Sequence, residues 1–215
     1  MNRICYLVFV CSSCLLAARL TSGADTAKEA MIARIRQADD DAILQAGKSG
    51  DSSYIPALET QAQGRTTDRR VIDAKMALAK LGVAKYLDET IAELTTTNSA
   101  LFETNRKFYQ NYGGSEYWTM RQARLKTQEQ AIEKLAYIRN PSTIKTLAAF
   151  LYSTENLNRE IPRQGDELFG TPAGMAIMAL RQMVDNPPKV PVGFTLEQDV
   201  QAWQQWWEQN KDKYP

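Results

Sequence analysis

The 215-residue chain contains no histidine, and that single gap excludes a great deal. Imidazole is the usual general base, the commonest metal ligand and the side chain that titrates near neutral pH. Cysteine is nearly missing as well: Cys5, Cys11 and Cys14 all lie in the first stretch of the chain and none follows. Beyond that stretch neither an ordinary catalytic triad nor a thiolate–imidazole zinc site can be assembled. Net charge is scarce too. The 26 basic and 25 acidic residues leave +1, which gives no reason to expect a nucleic acid or an acidic membrane surface as partner. A phosphate-cradling glycine loop and a Gly-x-Ser-x-Gly elbow are both missing. The expectation is a non-enzyme with no catalytic residues, no metal and no cofactor.

What is present describes an exported globular chain. Hydrophobic residues make up 44% and charged residues 24%, a balance that buries a core rather than staying disordered. Arg3 gives a basic start, Ile4 to Ala18 is apolar, and Ser22-Gly23-Ala24 offers the small residues that a signal peptidase cleaves after. The run is short for a membrane span and is interrupted by Arg19. Residues 1–24 are therefore expected to be a signal peptide cleaved after Ala24, delivering residues 25–215 to the periplasm or the exterior with no stable membrane span. Cys14 makes a poor lipidation site, because Cys11 stands where such signals carry leucine and Leu15-Leu16 continues the apolar run. A cysteine-free exported domain must hold itself together by packing.

The remainder has helical period throughout. Thr26 and Glu29 form a capping-box pattern ahead of Ala27, Met31, Ile35 and Ala38. Asp39-Asp40-Asp41 suits a cap and a favourable charge at the next helix start, and lacks the spaced oxygens, glycine and closing glutamate of a calcium loop. After a break at Gly47–Asp51, Pro56 fits the first turn of a helix burying Ile55, Leu58 and Ala62. Val71, Ala74, Leu78 and Leu81 then share a stripe, Gly82 stops it, and Leu87, Ile91 and Leu94 begin another. Leu78 to Leu87 spans nine positions, as does Leu135 to Ile144. Thr171-Pro172 and the capping box Thr195–Gln198 open two further helices.

Short helices with a recurring helix–turn–helix offset need neighbours to be stable. The runs AGKSGDSSYIPALE (Ala46–Glu59), AKMALAKLG (Ala74–Gly82) and AIEKLAYIRNPSTIKTLAAFL (Ala131–Leu151), with the closing WQQWWEQNKDKYP (Trp203–Pro215), resemble HEAT repeats of exported bacterial proteins. The resemblance implies an all-α fold: a short α-solenoid of about four antiparallel helix pairs that binds other molecules, with no catalytic residues to carry over. A departure from regular repeats is expected at about 97–121, and a polar loop at about 153–170.

The departure is where function is sought. Phe102, Phe108, Tyr109, Tyr112, Tyr117 and Trp118 crowd around the Gly113-Gly114 pair. Insertions in solenoids map to one face, often the binding face, and rings with polar tips suit interfaces. Tyr109, Tyr112, Tyr117 and Trp118 are the candidate contacts for a protein partner; the alternative is that these rings close an open repeat edge. Trp203, Trp206 and Trp207 share one helix side, and sealing the end of the core fits them better than a carbohydrate platform. Glu155, Glu160, Asp166 and Glu167 in the polar loop are the acids a glycan hydrolase would use. A structural subunit of a larger assembly is a third reading. Arg121, Arg124 and Lys126 make one basic patch, expected to be a wet helix face.

Overall fold

Hydroxyl and carboxylate caps set where the helices begin. A side-chain oxygen accepts from a backbone N–H of the first turn at Asp39, Asp68, Ser99, Ser115, Thr171 and Thr195, satisfying donors that a helix start leaves open. The computed structural model describes residues 24–65, 67–153, 171–190 and 195–214. Among these it is all-α, with no strand. The helices are α1 (24–36), α2 (Asp40–Ser49), α3 (Ile55–Gln61), α4 (Arg69–Lys80) and α5 (Ala84–Ala92). They continue as α6 (Ala100–Gln110), α7 (Glu116–Ile138), α8 (Ile144–Ala149), α9 (Pro172–Met183) and α10 (Leu196–Asn210). Gly50 (φ 72°) and Gly82 (φ 90°) take the left-handed conformation just past α2 and α4, where a side chain would be strained.

Several expectations need correction. Thr26 is no cap, because α1 already covers 24–36, and Ala27 on it is exposed. Ala38 lies beyond that helix in a left-handed turn (φ 63°). Gly47 belongs to α2 rather than to the break after it. Residues 100–110 and 116–121 are helical, and α7 runs unbroken for 23 residues, about 34 Å at 1.5 Å per residue. The helical stretch that begins the Ala131–Leu151 run is thus the C-terminal end of α7.

One continuous apolar cluster runs from Ile35 through Leu58, Leu78, Leu135, Leu147 and Leu180 to Trp203. Around it α2 packs on α4, α4 on α7, and α7 on α9; α3 and α5 lie against α4, and α8 and α10 against α9. The buried set includes Leu78, Leu87, Leu135 and Ile144, the four positions picked out by the nine-residue offset.

Where α2, α4 and α7 meet, polar groups interlock. Lys80 Nζ donates to the carbonyls of Tyr137 (2.7 Å) and Ile138 (3.2 Å), covering open acceptors at the end of α7. Tyr137 Oη donates to the Leu44 carbonyl at 2.8 Å, and burial with the nearby Asp73 charge pushes its phenol up to about 12. Asp73 itself is buried, and its Oδ2 has no hydrogen-bond partner among the described residues. Burial raises its carboxyl above the ordinary value of 3.8, with Asp40 pushing the same way and Arg69, 3.7 Å distant, opposing. A raised acid binds its proton more tightly when folded. Its favourable contribution is therefore complete below the unfolded pKa and disappears as pH rises through the folded one. Asp73→Asn should stabilise the protein by about 1 kcal/mol at pH 7, and the gain should vanish as pH falls below about 4. Paired thermal melts of variant and parent across that range measure it; an equal gain at both ends would refute the buried-charge account.

Candidate functional site

The stretch where a departure from regular repeats is expected, about 97–121, holds α6 and the start of α7, packed together as a pinned helical hairpin. Ser99 opens α6 and Ser115 opens α7, each through its hydroxyl. Phe102 and Ala123 are buried along the pair. Between them Asn105 Nδ2 donates to Thr127 Oγ1 (3.0 Å) and Gln130 Oε1 (2.9 Å), while Thr127 Oγ1 donates to the Ala123 carbonyl at 2.7 Å. A buried amide satisfied on both hydrogens fixes the register of the two helices, since any slide leaves it unpaired.

The turn that this hairpin presents is open to solvent. Every residue from 111 to 118 is exposed. Gly113 takes φ 71°, and a Cβ on Gly114 would overlap the Trp118 ring, so the two glycines shape the turn rather than loosen it. Four rings gather on it. Phe108 stands 5.2 Å edge-on from Tyr109 and 5.3 Å from Tyr112, and Tyr109 meets Trp118 edge-on at 5.8 Å. These separations suit aromatic pairs.

The cluster is nevertheless far from buried. Phe108 is 54%, Tyr112 66% and Trp118 36% exposed, and Tyr117, outside the ring contacts, is 81% exposed. Met120 is exposed beside them, so five of the six exposed large hydrophobics among the described residues lie between 108 and 120. Single exposed apolar side chains are ordinary; a local concentration is not. Of the sequence-derived candidates, Tyr109, Tyr112 and Trp118 are brought together and Tyr117 stands apart. Tyr109 is half-buried, and it also lines a small cleft of about 60 Å³ with Gln122, Leu125, Lys126, Pro172 and Met175. Phe102 is core. Phe108 and Met120 join the surface, and only their place on the folded hairpin shows it.

Charge around the tip is lopsided. Between positions 103 and 126 five residues are basic and two acidic. Both acids face Arg106: Glu103 accepts from it at 2.9 Å, and Glu116 lies 3.9 Å away. That hydrogen bond holds the Glu103 carboxyl below its ordinary range. Lys126 pairs with Glu129 at 2.8 Å. Lys107 and Arg121 form no ion pair with any described residue.

The other sequence candidates fall elsewhere. Trp203, Trp206 and Trp207 are buried, Trp206 Nε1 donates to the Asn186 carbonyl at 3.0 Å, and Trp207 stacks on Tyr214. Their faces are used within the fold rather than offered as a platform to solvent. Glu155, Glu160, Asp166 and Glu167 lie outside the described residues. Among the described residues no group of three or more acidic side chains is placed to hold a metal ion, and no helix is long and apolar enough to cross a membrane. A scan against models of protein families finds no match, and neither the comparison with curated proteins nor that with solved structures finds one.

Proposed function

We propose that this chain is an exported, non-enzymatic scaffold, secreted or periplasmic, that binds a protein partner through the α6–α7 tip. The observation that carries the reading is the concentration of exposed rings on a hairpin whose own register is pinned. Tyr and Trp present a large contact area with few rotatable bonds, which is why they dominate binding hot spots. The signal-like leader supports export, and interface chemistry needs no titrating side chain.

The finer architecture belongs to the same proposal. The succession α2, α4, α7, α9, each packed on the one before, is what one layer of a short right-handed HEAT-like solenoid would make. In that arrangement α3, α5, α8 and α10 complete four pairs, and α6 is inserted ahead of α7.

The test uses a photo-crosslinking side chain placed at Tyr112 in the full chain, with the same group at exposed Glu59 on α3 as control. A discrete protein adduct formed at 112 and not at 59 is expected in the native envelope. Phe108→Ser with Tyr117→Ser, made in the chain that carries the group at 112, should reduce that adduct at least about tenfold and change stability by less than about 1 kcal/mol, as substitutions of exposed side chains do. Equal crosslinking from both positions would remove the tip from consideration.

A further inference from the structure

We infer that the segment received by this tip is acidic as well as apolar: a peptide stretch of the partner that sets carboxylates beside Lys107 and Arg121 while its apolar side chains lie on Phe108, Tyr112 and Trp118. The inference rests on the protein-binding reading and adds the partner's chemistry. Aromatic faces alone would welcome a cation, because the ring quadrupole is negative there. The surroundings reverse that preference. Arg106 hydrogen-bonds Glu103 and lies 3.9 Å from Glu116, so its charge offsets the two acids of the tip and leaves the other basic groups in excess. Lys107 is exposed and directly precedes Phe108 on α6, and the half-buried Arg121 directly follows Met120 on α7; neither has an ion-pair partner among the described residues. Glu103 feels Lys107 only through space. A basic segment would bring like charges together, whereas an acidic one gains steering and register.

The small area of the tip also favours a short segment over a broad face. Its exposed rings lie within eleven positions at one helical hairpin, whereas folded partners bury about 800 Å² on each side. A linear stretch engages a patch of this kind with a few anchors.

A library of random dodecapeptides displayed on phage, selected on the full-length protein and counter-selected on the Tyr112→Ser, Trp118→Ser variant, tests this. The expected result is a tip-dependent consensus enriched in Asp and Glu around one or two apolar residues. The synthesised consensus peptide should lose about tenfold in affinity against Lys107→Glu and weaken as salt rises. Arg121→Gln serves as a second variant, and unchanged melting confirms that both are folded. A tip-dependent consensus that is neutral or basic would overturn the acidic assignment while leaving the protein-binding reading standing. No tip-dependent peptide would overturn both. Tip-dependent binding to phosphatidylglycerol vesicles without any peptide would likewise overturn both, making the surface a lipid contact.

Discussion

Trp203→Ala is expected to destabilise the protein by about 3–5 kcal/mol, the range for emptying a large buried aromatic site. The ring is fully buried, lies 5.4 Å from Trp206, and belongs to the same apolar cluster as Leu180 and Leu151. Helix α10 packs on α9 at this end of the fold, and its capping box and Tyr214 cannot replace the volume lost. Trp203 Nε1 has no hydrogen-bond partner among the described residues, so Trp203→Phe gives up volume but no bond and should cost clearly less than alanine. Trp118→Ala supplies the contrast. Its partly exposed ring should cost under about 1 kcal/mol while reducing partner binding. Urea unfolding of the three variants reads this order directly. A Trp118 effect as large as that of Trp203 would mean that the tip is core and not a surface.

Gly47→Val is the second large effect, expected to cost about 1–3 kcal/mol or more through overpacking. A Cβ at position 47 would sit 2.8 Å from both Cα and Cβ of Ala77, and 2.9 Å from Tyr137 Oη. Two of those three atoms cannot rotate away. Relief requires α2 to back off from α4, which would also stretch the Tyr137 bond to the Leu44 carbonyl. Gly47→Ala is the finer test. Alanine should recover up to about 1 kcal/mol of helix propensity, yet the close approach to Ala77 should outweigh it. Ala77→Gly in the same chain should restore part of the loss, because the two positions share one contact. A stabilising Gly47→Ala would show that the two helices sit farther apart than described.

Both positions show what local pattern can and cannot carry. Trp203, Trp206 and Trp207 at helical spacing behind a capping box were legible as a buried helix side, because side of helix and cap chemistry are local properties. So were the Asp39 and Thr171 caps and the stripes through Leu78, Leu87, Leu135 and Ile144. Gly47 was misread as a breaker. A glycine's role depends on what lies opposite its missing Cβ, and Ala77 is thirty residues away. Thr26 was misread because a capping pattern has the same residues whether a helix starts there or has already begun.

The aromatic stretch shows the divide most clearly. Composition alone marked residues 98–118 as unusual, and could not separate Phe102, which is core, from Phe108, which is surface. That division is made by Asn105, whose bonds to Thr127 and Gln130 set how far α6 lies along α7 and hence which rings pass the end of the pair. Asp73 was invisible for the same reason: an acid on a helix looks solvated until α2 and α7 close over it.

Helix identity, caps and the apolar stripes followed from the order of residues, because each depends on neighbours within a turn or two. The closeness of α2 to α4, the unbroken length of α7, the buried carboxylate and the exposed ring cluster were decided by tertiary packing. They depend on which surfaces meet across long stretches of chain, and a close-packed interior settles that jointly for all its members.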